Sequence, residues 1–287
     1  MIRYLLLGWS LLLVLPAQAA PFRVMDDAGQ TLEFSRTPQR IISLTPHLTE
    51  LVFAVGAGPQ LVGVDSASDY PVAVQSLPHI GDYSRVNFER ILALKPDLVL
   101  VWVGGNRAAD IHALKKMGLT VLQTQATRLD DVARLLRLLG TVSGHAVAGE
   151  AAARDYTRQL AALQAKSAHG AQLKVFYQVW DRPLMTVGGT HWINDALKLC
   201  GAQNVFSDLH VLSPVVSIEA VLQRSPELII SGTDAPDMQR QWRRFANLPA
   251  VKRQAFVRVD ADRLHRLTPR LIDGVAGLCS AVSTYAR

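Results

Sequence analysis

Apolar and polar positions along this chain switch repeatedly between short continuous apolar runs and helical spacing. Ile41-Ile42-Ser43-Leu44, Leu61-Val62-Gly63-Val64, residues 98–103 and Thr120-Val121-Leu122 read as strands buried on both faces. Between them, 49–55 and 108–117 read as helices stopped by Gly56, Gly58 and Gly118. Ahead of this series, 22–34 carries the turn signal Asp26-Asp27-Ala28-Gly29 of a small hairpin. Residues 143–167 change texture to alanine and polar positions, which is the pattern of one long helix. A second series follows: a strand over 174–179, a helix over 192–199, a helix and strand within 217–230, a helix over 238–245, a strand over 255–259 and a last helix over 269–285. Alternation of this kind predicts an α/β fold of two parallel-sheet lobes joined by one long helix, with 21–142 as the first lobe, 143–170 as the link and 171–287 as the second.

One pattern occurs twice. Asn87-Phe88-Glu89-Arg90-Ile91-Leu92-Ala93-Leu94-Lys95-Pro96-Asp97 returns as Ser217-Ile218-Glu219-Ala220-Val221-Leu222-Gln223-Arg224-Ser225-Pro226-Glu227, each followed by an apolar strand. A capping residue opens a helix, a glutamate sits in the first turn where the helix dipole favours it, and a proline stands at the same distance in both. Two unrelated βα units also share such parts, so the repeat alone leaves coincidence open.

The N-terminus changes the picture of where the chain works. Arg3, the apolar stretch 5–15 and the ending Pro16-Ala17-Gln18-Ala19-Ala20 make 1–20 a secretory signal peptide, cleaved after Ala19 or Ala20. An uncleaved anchor is the alternative, but the apolar core falls short of the roughly 20 residues a bilayer span needs. Export to the periplasm follows, and about 265 residues remain for two lobes. In that compartment Cys200 and Cys279, the chain's two cysteines, read as a disulfide, with two buried free thiols as the rival reading.

Composition removes several classes of function. Hydrophobic residues make up 49% and charged residues 19%, the balance of a folded protein, and the basic residues are too scattered for a nucleic-acid surface. No phosphate loop, dinucleotide fingerprint, nucleophile elbow or paired-histidine zinc motif is present. Gly140-Thr141-Val142-Ser143-Gly144 misplaces its serine for an elbow, Gly104-Gly105 reads as an ordinary turn, and the eight histidines stand singly. What remains is a set of aromatic and polar residues in the predicted loops: Asp69, Tyr70, Tyr83, Trp102, Trp180, Trp192 and Asp262-Arg263-Leu264-His265-Arg266. Loops after strand ends line the crevice of open α/β sheets, so these are candidate ligand contacts, with core packing as the alternative for the tryptophans.

Taken in order, these stretches resemble the cobalamin-binding periplasmic proteins of vitamin importers in the ATP-binding-cassette class, the helical-backbone type of solute-binding protein. The resemblance is carried by 40–51, Ser68-Asp69-Tyr70-Pro71, 87–100, Gly104-Gly105-Asn106, 217–226, Cys200-Gly201-Ala202-Gln203-Asn204-Val205-Phe206 and the Thr268-Pro269-Arg270 ending with Cys279. It implies a non-enzymatic receptor without a cofactor, monomeric when free, that captures a corrinoid between its lobes and delivers it to a homodimeric permease of the inner membrane. It also implies that Glu89 and Glu219 meet arginines on the two permease subunits, and that Tyr83 and Asp262, Arg263, Leu264, His265 and Arg266 contact the ligand. A binding tyrosine of the family falls at Ala67, with Tyr70 three residues on, and another aromatic falls at Ser213. A haem or ferric-siderophore receptor, with His47, His79, His191 or His265 as axial ligand, stays open beside the corrinoid reading. So, more remotely, does an enzyme using Asp262 and His265.

Overall fold

A computed structural model describes residues 21–166, 172–232 and 238–285. The expected signal peptide and the last residues of the expected link, 167–170, lie outside that set.

The hairpin forms as β1 (Phe22–Met25) and β2 (Thr31–Phe34), its turn tied by Asp26, whose carboxylate accepts the amides of Ala28 and Gln30. Then follow β3 (Ile41–Ser43), α1 (Pro46–Ala54), β4 (Leu61–Val64), α2 (Phe88–Ala93), β5 (Leu98–Trp102), α3 (Ala108–Lys116) and β6 (Val121–Thr124). The strands pair in parallel in the order β4-β3-β5-β6. The first four residues of β5 are fully buried, as a central strand covered on both faces requires. Helix α1 starts three residues before the expected 49, because Pro46 takes the first helical turn, where its missing N–H leaves no bond unmade.

One long helix leads between the lobes, as expected, and a second helix that was not expected precedes it in the first lobe. α4 (Asp131–Val142) is additional to the expected elements, and α5 (Ala146–Gln164) begins only after Gly144, whose φ of 78° breaks the path. The two cross closely. A Cβ built on Gly140 would lie 2.8 Å from the Cα of Gly149, so neither position has room for a side chain.

The second lobe contains β7 (Leu173–Gln178), the short hairpin β8 (Trp180–Asp181) and β9 (Leu184–Met185), α6 (Trp192–Leu199), β10 (Ala202–Asn204), α7 (Ile218–Arg224) and β11 (Leu228–Ser231). It ends with α8 (Met238–Arg243), α9 (Pro249–Lys252), β12 (Phe256–Arg258), α10 (Ala261–Leu264) and α11 (Leu271–Tyr285). Its parallel sheet runs β10-β7-β11-β12, so β7, β10, β11 and β12 occupy the places of β3, β4, β5 and β6.

The sequence repeat is therefore a structural one, and it reaches further than its helix. Asn87 and Ser217 each cap their helix by accepting the amide three residues on. Lys95 and Ser225, each just before the proline, share a left-handed backbone at φ 47° and 48°, a conformation uncommon outside glycine. The following carboxylates also match: Asp97 accepts the amide of Arg40 and Glu227 that of Lys174, at the starts of the paired strands β3 and β7.

Cys200 at the end of α6 is bonded to Cys279 in α11, as expected for this pair. The bridge closes a loop with a sequence separation of 79. Its removal by a Cys200→Ser, Cys279→Ser double variant is expected to lower stability by roughly 2–4 kcal/mol. Urea unfolding of oxidised and variant protein measures this, and coincident midpoints would count against a stabilising role.

Candidate functional site

Between the lobes lies a cavity of about 240 Å³. The first lobe lines it with the turn after β3, the loop after β4, the Asp82-Tyr83 segment and the turn after β5; the second closes it with His265 and Arg266. All but Asp82-Tyr83 follow strands or short helices at one edge of the two sheets, where open α/β sheets bind ligands.

Trp102 forms one wall, and the turn that follows it is built to hold it. Asn106 accepts the amide of Trp102 at 2.8 Å and donates its side-chain N–H to Leu44 O at 3.1 Å. Cβ atoms on Gly104 and Gly105 would fall 2.7 Å and 2.4 Å from the indole, so this glycine pair, read from sequence as an ordinary turn, is the tryptophan's seat. His47 stands edge-on to Trp102 at 5.2 Å, and Trp192 lies beyond it at 6.3 Å.

Three side chains of this wall carry buried polar atoms without a hydrogen-bond partner: Thr45 Oγ1, His47 Nε2 and Trp102 Nε1. Such an atom costs about 1–3 kcal/mol when left unmade, and its concentration at one cavity marks a surface shaped for polar groups that are not the chain's own.

The other wall is an ion-pair network across the lobes. Glu50 in α1 is buried, and its carboxylate accepts Arg266 at 2.9 Å and both an Nη at 2.5 Å and the Nε at 2.9 Å of Arg270. Arg266 also donates to Asp69 at 2.5 Å and to Asp262 at 2.9 Å. Arg270 lies 3.9 Å over the ring of Tyr70. Sequence reading missed Glu50 and Arg270 as site residues. A signal was present: a lone carboxylate among the apolar positions of α1, with Leu48, Leu51 and Val52 buried around it, demands a buried partner.

The expected ligand contacts divide into four groups. Ala67, Tyr83, Trp102, His265 and Arg266 line the cavity, with Tyr83 79% exposed at its mouth. Tyr70 and Asp262 stand at the rim through their contacts with Arg270 and Arg266. Trp192 and Leu264 are one layer deeper, at 4% and 0% exposure; the Trp192 indole donates to Leu264 O at 3.0 Å, and both side chains belong to the core. Arg263 pairs with Asp260 at 3.1 Å and is not among the cavity-lining residues. Ser213 and Trp180 also stay outside the cavity lining.

Burial controls the charge of the site. It pushes His47 down to about 3, helped by the charge of Arg266, and His265 down to about 4. His191, behind Trp192, is lowered to about 3 by burial and then by His265. Asp65, in the cavity wall, is raised to about 6, again chiefly by burial. The cavity thus presents neutral imidazoles beside one guanidinium held by carboxylates. Among the described residues no group of three or more His, Cys, Asp or Glu side chains is arranged to hold a metal ion.

Glu89 and Glu219 are exposed in the first turns of α2 and α7, one per lobe. Glu89 borders a separate surface groove of about 930 Å³ with Phe88, Arg90 and Arg107. These carboxylates are thus apart from the cleft.

Two matched parallel-sheet lobes around a cleft, joined through a long helix, are the architecture of a class III periplasmic binding protein. The chain belongs to the periplasmic binding protein family, whose model matches residues 41–262. A vitamin B12-binding protein of Vibrio cholerae is 36% identical over 243 residues, covering 84% of this chain and 88% of that protein. That of Pectobacterium atrosepticum is 38% identical over 254 residues, covering 86% and 89%. The crystal structure of the periplasmic vitamin B12-binding protein of Vibrio cholerae superposes with a TM-score of 0.81 at 35% identity, over 88% of this chain and 99% of that one.

Proposed function

We propose that this protein is a periplasmic receptor that captures a corrinoid, cobalamin above all, in the inter-lobe cleft and delivers it to an ATP-binding-cassette permease without chemical turnover. The observation that carries this reading is the cavity itself, lined in part by Leu44-Thr45-Pro46-His47 and Gly105-Asn106 from stretches that resemble cobalamin-binding proteins, in a chain that matches vitamin B12-binding relatives over 88% and 99% of their length. We further assign 1–20 as a cleaved signal peptide, 21–142 and 171–287 as the lobes and 143–170 as the link, in a chain that is monomeric when free. The ligand is cargo, and the receptor needs no cofactor of its own.

Absorbance titration and equilibrium dialysis with cobalamin, cobinamide, haem and a ferric siderophore test the reading. One-to-one retention of a corrinoid, recovered unchanged, is expected. Retention of haem or the ferric chelate with no corrinoid bound would overturn it.

Delivery is assigned to Glu89 and Glu219, whose placement one per lobe suits a twofold-symmetric partner offering arginines. A Glu89→Ala, Glu219→Ala double variant is expected to keep its corrinoid affinity and lose uptake, more severely at physiological salt than at low salt. Tyr83→Ala is expected to do the reverse, weakening capture while docking survives. Normal uptake by the double variant, or a loss of ligand binding equal to that of the Tyr83 variant, would refute this division of roles.

A further inference from the structure

Four histidines come into question as ligands to a metal carried by the cargo, and the structure separates them. His79 lines the groove beside α2, not the cleft. His191 is buried against Trp192, and its Nδ1 accepts the amide of Ile193. His265 lines the cavity, but its Nε2 is engaged with the Tyr177 hydroxyl at 2.8 Å. Among the described residues, His47 alone combines a place in the cavity wall with a buried ring nitrogen, Nε2, that has no hydrogen-bond partner.

The surroundings of His47 suit a metal ligand. Its ring is positioned by the first turn of α1 and by edge-on contact with Trp102, so little freedom is lost on binding. A neutral imidazole offers its Nε2 lone pair to a metal, and this Nε2 has no competing hydrogen-bond partner in the wall. Thr45 Oγ1 and Trp102 Nε1 offer unpartnered donors in the same wall for polar groups near the metal.

We infer that His47 is an axial ligand for the cargo: its Nε2 coordinates the cobalt of a corrinoid whose outer axial position carries exchangeable water, so the cleft prefers aquated corrinoids to those capped by cyanide or an alkyl group. The inference rests on the corrinoid reading above. In the exchange the cobalt–water bond breaks and water leaves with its own electron pair. The lone pair of His47 Nε2 forms the new bond, cobalt stays trivalent, and no proton is released because the ring is already neutral. Cyanide and alkyl groups are held too strongly to be displaced by an imidazole, so capped corrinoids bind without coordination. With a cavity of about 240 Å³, below the usual size for organic ligands, the ring is reached as the exposed Asp69 contact of Arg266 parts while the buried Glu50 contact holds.

The test is a pair of absorbance titrations, aquacobalamin against cyanocobalamin, on the mature protein and on His47→Ala and His47→Gln. Binding of aquacobalamin is expected to shift its visible bands, and binding of cyanocobalamin to leave them in place. Both variants should lose the shift, and their affinity for aquacobalamin should fall about tenfold more than that for cyanocobalamin. Glutamine retains polarity without the ring nitrogen, and unchanged thermal midpoints establish that the variants fold. A wild-type protein that binds both corrinoids with no shift, or a shift that survives in the variants, would overturn the inference alone. Failure to bind either corrinoid would overturn the corrinoid reading with it.

Discussion

Glu50→Ala is expected to destabilise the protein by about 3–5 kcal/mol, the usual consequence of removing one partner from a buried ion pair. The Glu50 side chain is 3% exposed, and its two oxygens take three hydrogen bonds from Arg266 and Arg270. Arg266 is itself only 13% exposed, so deletion strands one guanidinium and half-strands another where water cannot fully replace the carboxylate. For a chain of this size that loss lowers the thermal midpoint by about 10 °C. Glu50→Gln, which keeps the shape and removes the charge, should lose nearly as much. Calorimetry or circular dichroism gives the answer, and a loss below about 1 kcal/mol would mean that the network is no stronger than a surface pair.

The second large effect is acid sensitivity. His47, His191 and His265 have folded values of about 3, 3 and 4 against 6.5 for the free side chain. The unfolded chain therefore takes up three protons as pH falls through 6.5, and the folded chain refuses them until near pH 4. Stability is complete above pH 6.5 and is lost below it. Asp65 opposes this: held near 6 in the fold and 3.8 in the open chain, it takes its proton first in the native state and returns stability below pH 6. Three protons against one leave a net uptake of about two on unfolding between pH 5.5 and 4, or roughly 3 kcal/mol per pH unit. Urea midpoints across pH 4 to 7.5 give that proton number as a slope. A flat profile would mean that the three rings are reached by solvent.

The repeat was legible because its signals are local: a cap, a first-turn acid and a proline at fixed spacing are set by one turn of helix. The same locality made the strands, the hairpin and α11 readable. α4 escaped because its stripe, Val132, Leu135, Leu136 and Leu139, runs directly into the alanine-rich segment, and only the left-handed Gly144 separates them. Of the expected contacts that line the cavity, Trp102 closes β5 as its apolar run implied, whereas Tyr83 and Arg266 lie in segments that follow no strand. The depth of Trp192 and Leu264 was not legible, since which face of α6 and α10 meets the core depends on packing that a single segment does not encode. The Glu50 network was out of reach for a plainer reason. Its partners are 216 and 220 residues apart in the chain, so no window of sequence contains both.

Arg266 is already fully engaged before any cargo arrives, and its partners are unequal. Asp69 is 57% exposed and can turn into water at little cost, whereas Glu50 at 3% cannot be released without uncovering a buried charge. The Asp69 side of Arg266 is therefore the side that can open, while the Glu50 side stays in place. Arg266 is in that respect a hinge pin with one loose side: the exposed Asp69 contact can exchange with solvent while the buried Glu50 contact keeps the two lobes tethered.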